Sequence, residues 1–142
     1  MTLFALSLAV IVLSNVVYHV SQKSIPRDAH PLVSLLVTYA VAAGITLLLL
    51  PFFPLRGTLG QALRKVNWSS AAVGAAIVGV ELGFLLAYRS GWRISVGSAA
   101  ANAAVAIVLV PTGLFFFNER LSGVNAAGLV LCLVGLLLVV TR

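Results

Sequence analysis

The segment from Pro31 to Phe53 reads PLVSLLVTYAVAAGITLLLLPFF and contains no charged residue. An α-helix needs about 20 mostly apolar residues to cross the hydrocarbon core of a bilayer, and this segment is long enough. A helix that is apolar on every side has to be covered by other protein or by lipid. The segment therefore predicts a membrane-spanning helix.

Four further segments share this length and composition, namely residues 2–21, 68–88, 94–117 and 123–141. Short links separate them, and short links require neighbouring helices to lie antiparallel. Strands do not fit, because the apolar runs are long and do not alternate, and lipid does not tolerate an open sheet edge. Residues 2–21 lack the basic start and the cleavage site of a signal peptide. We predict an all-α integral membrane protein with five transmembrane helices, in a single domain over residues 1–142.

Composition excludes most classes of soluble protein. Of the 142 residues, 61% are hydrophobic and 8% are charged, whereas soluble domains have about 25% charged residues. The net charge is +6, but the basic residues stand singly or in pairs between apolar runs, which indicates membrane loops rather than a nucleic-acid-binding surface. The single Cys132 has no partner for a disulfide and no metal-ligand spacing. Without a phosphate-binding loop or a nucleophile motif, we expect no enzyme, no cofactor and no metal site.

The distribution of basic residues bears on orientation. An odd number of spans places the termini on opposite sides of the membrane. One side would then carry Arg56, Arg64, Lys65 and Arg120, and the other Lys23, Arg27, Arg89, Arg93 and Arg142. The positive-inside rule requires a clear excess on one side, so this balance predicts weak orientation or dual insertion. The alternative is that one loop dominates, for instance through the pair Arg64 and Lys65.

Three motifs occur along the chain in a characteristic order. They are His30-Pro31 at the start of the second span, Tyr88-Arg89-Ser90-Gly91 followed by Ile94-Ser95 between the third and fourth, and Asn118-Glu119-Arg120-Leu121-Ser122 before a last span that carries Gly128 and Gly135. Over essentially the whole chain, this order resembles an EamA-like domain of the drug/metabolite transporter superfamily. Two positions depart from the family pattern. Pro111 lies nearer the turn than the usual proline, and Asn118 stands where glycine is usual.

The resemblance implies a multi-pass transporter of a small organic solute in a cell membrane, such as a bacterial inner membrane. Family members commonly have ten helices, in two five-helix halves of opposite orientation, and this chain resembles one half. A half with an odd number of spans can build an inverted-repeat transporter only with an oppositely inserted copy or paralogue. We therefore expect an antiparallel homodimer.

Glu81 is the only acidic residue inside a predicted span. A charge at bilayer depth costs about 2.5–3.5 kcal/mol on insertion scales, and removal from water favours the neutral form of a carboxyl group. Protonation of Glu81 could thus be coupled to transport. Two structural alternatives remain, which are a neutral Glu81 hydrogen-bonded to a neighbour and an ion pair with Arg89 or Arg93.

Polar side chains within the spans define a predicted solute and proton pathway, formed by Glu81, Asn15, Tyr18, Tyr88 and Asn102. For Asn15, a hydrogen bond between helices is an equally open reading. Small residues that recur every four positions predict a helix-packing ridge, formed by Ala71, Ala75, Gly79, Gly83 and Ala87, with Gly128 and Gly135 in the last span. Glu81 lies about 200° around the helix from Gly79, so we expect one face of this helix to pack and the other to face a cavity. Pro111 is a predicted hinge, although prolines in membrane helices are often static.

The leading functional hypothesis is a small exporter that works by alternating access as a dual-topology homodimer, with proton coupling through Glu81. The alternative is a non-transporting or lipid-handling membrane subunit that pairs with a paralogous partner. A passive channel is the third hypothesis, and it would not require Glu81.

Overall fold

The computed structural model describes residues 2–55, 57–118, 120 and 122–140, and for Leu136, Val139 and Val140 it describes the backbone alone. Within these ranges the chain is helical and contains no strand. Arg56, Glu119 and Arg142, which the sequence analysis placed in links and at the C-terminus, lie outside the described residues. The end of the last predicted span, Thr141, also lies outside them.

Five long helices correspond to the predicted spans, and a short helix lies between the second and third. They are α1 (Thr2–Ser24), α2 (Pro31–Leu49), α3 (Leu59–Arg64), α4 (Trp68–Arg89), α5 (Ile94–Phe116) and α6 (Gly123–Val140). Four segments are long and apolar enough to cross a membrane: α1, α4, α5, and α2 together with the 3₁₀ turn Leu50–Phe52. α6 is a shorter apolar helix. The prediction of an all-α membrane fold is confirmed.

The helix ends differ from the predicted boundaries for local reasons. α1 continues past the predicted end at Ser21 to Ser24, because Lys23 in its last turn suits the negative end of the helix dipole. α2 ends at Leu49 rather than Phe53. Pro51 has no N–H to continue the α-helical hydrogen bonds, and the chain forms a 3₁₀ turn there.

The sequence analysis did not predict α3, which a capping box stabilises at its start. The backbone N–H of Gln61 donates to Thr58 Oγ1 over 3.3 Å, and the backbone N–H of Thr58 donates to Gln61 Oε1 over 3.3 Å. This reciprocal pair satisfies two of the N–H groups that a helix start leaves without partners. A helix this short has no apolar period long enough to be read from the sequence.

The chain divides into two compact units. One contains α1 up to Ser21 together with α5 and α6, and in it α5 packs against α6. The other spans Gln22–Arg89, and in it α2 packs against α4. The buried apolar side chains of the described residues are Leu35, Leu85 and Tyr88, all in the second unit. Most large apolar side chains are exposed, as expected for helices whose outer surface faces lipid.

Left-handed backbone conformations follow two of the helices. Gly91 has φ of 101° just after the end of α4, and Asn118 has φ of 52° just after the end of α5. Residues at these positions commonly close a helix in the left-handed region, where glycine is favoured and asparagine is tolerated. This conformation explains why Asn118 can occupy a position at which glycine is usual in the family.

We expect Gly91→Ala to lower the free energy of unfolding by about 1 kcal/mol, because an alanine side chain is disfavoured at positive φ. Unfolding by SDS titration, followed by circular dichroism, measures the change. Gly44→Ala is the matched control. Gly44 lies inside α2, and an added Cβ there would meet no atom within 4 Å. An equal loss in the two variants would contradict the role assigned to Gly91.

Candidate functional site

Glu81 is buried within the helical bundle, with 8% of its surface exposed. It shares one face of α4 with Leu85 and Tyr88, four and seven residues further along, and both are buried. Its Oε2 atom is removed from solvent and has no hydrogen-bond partner among the described residues. Buried polar atoms are nearly always hydrogen-bonded, so this oxygen is in position to accept a hydrogen bond or to hold a proton.

Tyr39 on α2 is the polar neighbour of this acid. α2 packs against α4, and the charge of Glu81 acts electrostatically on Tyr39. The Tyr39 hydroxyl is itself buried and has no hydrogen-bond partner among the described residues. One pair of helices therefore buries a hydroxyl donor and a carboxyl acceptor, and a small polar group could interact with either.

Arg89, a suggested ion-pair partner of Glu81, instead makes hydrogen bonds at the end of α4. Its Nη2 donates to the carbonyl oxygens of Pro26 over 3.2 Å and of Ala29 over 2.7 Å. These bonds tie the end of α4 to the link between α1 and α2. Because the Arg89 guanidinium is held by backbone carbonyls, the structure does not support its pairing with Glu81.

The unit that contains α1 up to Ser21, α5 and α6 has a cavity, which we name the α1–α5 cavity. Its volume is about 480 Å³, and its lining combines apolar and polar side chains: Ile11, Val12, Asn15, Val16, His19, Val20, Ile94, Ser98 and Asn102. Sites for small ligands typically have volumes of about 300–1,000 Å³, with a few polar groups on an apolar wall. Its size and lining therefore suit a small organic molecule.

Two amides are the strongest hydrogen-bonding groups of the α1–α5 cavity. Asn15 and Asn102, both predicted pathway residues, line it together, and neither amide is hydrogen-bonded to another described residue. Ser98 Oγ donates to the Ile94 carbonyl over 2.8 Å, so its hydroxyl hydrogen is already used. The two amides can each donate and accept hydrogen bonds.

The remaining predicted pathway residues lie elsewhere. Tyr18 does not line the α1–α5 cavity, and its ring meets the ring of His19 edge-on, with 5.0 Å between the ring centroids. Tyr88 is buried on α4, where its ring stacks on Phe84 at 5.9 Å. Glu81 and Tyr88 thus belong to one unit and Asn15, Tyr18 and Asn102 to the other.

The small-residue ridge lies on the side of α4 opposite Glu81. Gly79 and Gly83 are exposed, and a Cβ added to either would meet no atom within 4 Å. The same holds for Gly128 and Gly135 on α6. We expected one face of α4 to pack and the other to face a cavity. Within a single chain, however, the Glu81 face is the buried one and the ridge is uncovered.

Pro111 lies inside α5, which continues without interruption from Ile94 to Phe116. Directly after it in the chain, Thr112 Oγ1 donates to the Val108 carbonyl over 2.7 Å. Hydroxyl groups of this kind commonly stabilise membrane helices around a proline. The role of Pro111 as a hinge stays a prediction.

A sequence model of the EamA-like transporter family matches residues 2–141, which is nearly the whole chain. The chain belongs to the EamA-like transporter family. Comparisons with curated proteins and with solved structures returned no match. Membership places the chain among multi-pass membrane transporters of the drug/metabolite transporter superfamily, which act on small-molecule solutes.

Three polar residues of this EamA-like chain escaped the sequence analysis, although helical spacing offered a signal for two of them. His19, whose place near the end of the first span predicts an interfacial residue, lies four residues after Asn15, is buried and lines the α1–α5 cavity. Ser98 lies four residues before Asn102 on the same cavity. Tyr39 had no such signal, because its importance depends on which face of α2 meets α4.

We expect Asn102→Cys, in a Cys132→Ala background, to react about ten-fold faster with a charged methanethiosulfonate reagent than Ala104→Cys does. The reactive thiolate forms in a hydrated cavity and not against lipid. Ala104 is the matched control, because it lies two residues along α5 and about 200° around the helix. Reaction rates in proteoliposomes measure the difference, and equal rates would argue against a hydrated α1–α5 cavity.

Proposed function

We propose that this EamA-like protein exports a small organic solute across a bacterial inner membrane by alternating access, in exchange for protons that bind Glu81. It works as an antiparallel homodimer, with Asn15, Tyr18, Tyr88 and Asn102 along the solute path. The observation that carries the proposal is the burial of Glu81 within a span, with its Oε2 lacking a hydrogen-bond partner among the described residues.

Glu81 suits an exchange mechanism because one carboxyl group can hold a proton or a cationic solute group, but not both. A carboxylate at bilayer depth is costly, so the outward-facing and inward-facing states are easiest to interconvert when Glu81 is occupied. The Tyr39 hydroxyl, which the charge of Glu81 affects, can donate to the carboxylate in the state that has released its proton. The exchange of solute for proton then follows because the two compete for the same carboxyl group.

The α1–α5 cavity offers a binding subsite of its own along the proposed solute path. Its apolar wall from Ile11 to Val20 suits hydrocarbon, and the amides of Asn15 and Asn102 suit polar substituents. An amide left without a partner in an apolar setting is costly. A solute or water that hydrogen-bonds these amides would remove that cost, which is why we place a binding subsite here.

The ridge on α4 supports the antiparallel dimer. Gly79 lies at the middle of α4, and the ridge extends evenly from it to Ala71 on one side and Ala87 on the other. An isologous contact between two antiparallel helices needs such symmetry, because each end meets the opposite end of its partner. Small residues also let membrane helices approach closely, and in the single chain the ridge is exposed from Ala71 to Gly83 and partly exposed at Ala87.

We expect Glu81→Gln to abolish solute-driven proton flux in proteoliposomes, down to the level of protein-free vesicles. The amide has nearly the shape of the protonated acid but cannot release a proton. A pH-sensitive dye enclosed in the vesicles measures the flux. The helical content of the variant, measured separately by circular dichroism, tells whether it is folded.

Asp28→Asn is the control for this experiment, since Asp28 is an exposed acid in the link after α1 and the substitution makes the same change of charge. Proton flux should persist in this variant. Undiminished flux in Glu81→Gln would remove Glu81 from the mechanism and leave a passive path for the solute.

Cysteine crosslinking tests the arrangement of two copies along the ridge. In a Cys132→Ala background, co-expressed copies carrying Ala71→Cys and Ala87→Cys should form a mixed disulfide, because antiparallel helices bring opposite ends together. The measurement is the yield of the heterodimer of two differently tagged copies on a non-reducing gel.

Self-crosslinking provides the contrast. A parallel pair would join Ala71→Cys to itself and Ala87→Cys to itself, and that result would overturn the antiparallel arrangement. Reporter fusions at the C-terminus give an independent measurement. A single fixed orientation would favour pairing with an oppositely oriented paralogue instead of a homodimer.

A further inference from the structure

A second, smaller cavity lies within the Gln22–Arg89 unit and away from Glu81. We name it the basic cavity. It has a volume of about 40 Å³ and is lined by Gln22, Lys23, Ile25, Arg27, Tyr88 and Arg89. These residues come from the last turn of α1, the link that follows it and the last turn of α4. Neither the family nor the proposed transport function assigns it a role.

Two of its three cations are held in place by the protein. Lys23 Nζ donates to the Tyr88 carbonyl over 3.3 Å and lies 5.5 Å from the centre of the Tyr88 ring. Arg89 Nη2 donates to the carbonyl oxygens of Pro26 and Ala29. The Lys23 contact satisfies a carbonyl at the end of α4, and the Arg89 contacts are to carbonyls of the link between α1 and α2. They also position two positive charges in advance, so an incoming anion would not have to order them.

The charges of the basic cavity are not balanced by its own walls. Lys23, Arg27 and Arg89 line it, and no acidic residue in the described part of the chain does. Asp28 follows Arg27 in the chain, but it is exposed and does not line the cavity. Like charges gathered at a partly dehydrated site repel one another, and a bound anion would relieve that repulsion.

Arg89 supplies a hydrogen-bond donor next to the basic cavity that the described residues do not satisfy. Arg89 Nε is buried and has no hydrogen-bond partner among the described residues. Its neighbouring Nη2 is occupied by carbonyl oxygens, so the guanidinium still has donors for an anionic oxygen. Phosphate oxygens match such donors well. A buried donor of this kind indicates a ligand atom more directly than an exposed basic patch would.

The depth of the basic cavity identifies the kind of anion. α1 has 23 residues and is about 34 Å long, slightly longer than the hydrocarbon core of about 30 Å. Lys23, next to its end, therefore lies at headgroup depth. The cavity of about 40 Å³ holds roughly three water-sized groups, which suits the oxygens of a phosphate but not a bulky solute.

We propose that the basic cavity binds the phosphate group of an anionic phospholipid, such as phosphatidylglycerol, at the end of α1 and α4. Basic pockets between membrane helices bind anionic headgroups through the same charge contacts. The acyl chains would lie along the apolar outer faces of the helices. This site is separate from the Glu81 mechanism and would hold whether or not the protein transports a solute.

Thermal unfolding of the detergent-solubilised protein tests the lipid site. We expect added phosphatidylglycerol to raise the melting temperature by about 3 °C, as measured by circular dichroism. Phosphatidylcholine, and inorganic phosphate at the same ionic strength, should leave it unchanged. A comparable rise with inorganic phosphate would overturn the assignment to lipid, and no rise with phosphatidylglycerol would overturn the site.

Variants separate the basic cavity from general attraction between basic residues and anionic lipid. Arg27→Gln, at an exposed position, should weaken the apparent affinity for phosphatidylglycerol about ten-fold, as expected for the loss of one charge-assisted contact. Arg64→Gln removes an equal charge from an exposed position on α3 and should change nothing. An equal loss in both variants would overturn the proposal. Arg89→Lys keeps the charge but removes Nε, and it should also weaken binding.

Discussion

Hydrocarbon offers no hydrogen-bond partner to a peptide group, and this constraint shapes the whole protein. Each span has to satisfy its own backbone, so the long apolar segments are helices. Only the helix ends are left with unsatisfied carbonyls. Lys23 meets one of these at the end of α4, and Arg89 meets two in the link after α1. The basic residues that mark the membrane boundary in the sequence are thus also structural contacts between helix ends.

Lipid also removes the hydrophobic driving force for helices to associate, because apolar side chains are as stable against acyl chains as against each other. In keeping with this, the buried apolar side chains of the described residues number only Leu35, Leu85 and Tyr88. Glu81 is buried on the same face of α4, with Tyr39 as its polar neighbour on α2. Apolar residues could occupy both positions without the cost of burying polar groups. A buried polar pair at these two positions favours a functional explanation over a purely structural one.

The sequence was sufficient for the spans and insufficient for the contacts between them. An uncharged run such as Pro31–Phe53 permits one structure in a membrane, so the helices could be predicted to within a few residues. The predicted helix boundaries were wrong where individual side chains stabilise a helix end, as in the extension of α1 to Ser24 and the capping box of Thr58. Glu81 could be selected because it is the only acid in a span. Tyr39 could not, since its importance depends on tertiary packing that composition does not encode.

The position of Glu81 along α4 connects the proposed mechanism with the proposed dimer. Glu81 lies two residues beyond Gly79 and about 4 Å from the midpoint of α4 along the helix axis. In an antiparallel pair centred on that midpoint, the two carboxyl groups would differ in depth by only about 8 Å. The two carboxyl groups would nevertheless lie on opposite sides of the helix pair, because Glu81 is on the face of α4 opposite the ridge through which the two copies would contact. The dimer would therefore contain two Glu81 sites at similar depth, separated by the helix pair, and each could bind a cation or a proton without strong repulsion from the other. What the dimer would supply beyond a single chain is the inverted repeat itself, in which two copies of one site have opposite orientations in the membrane.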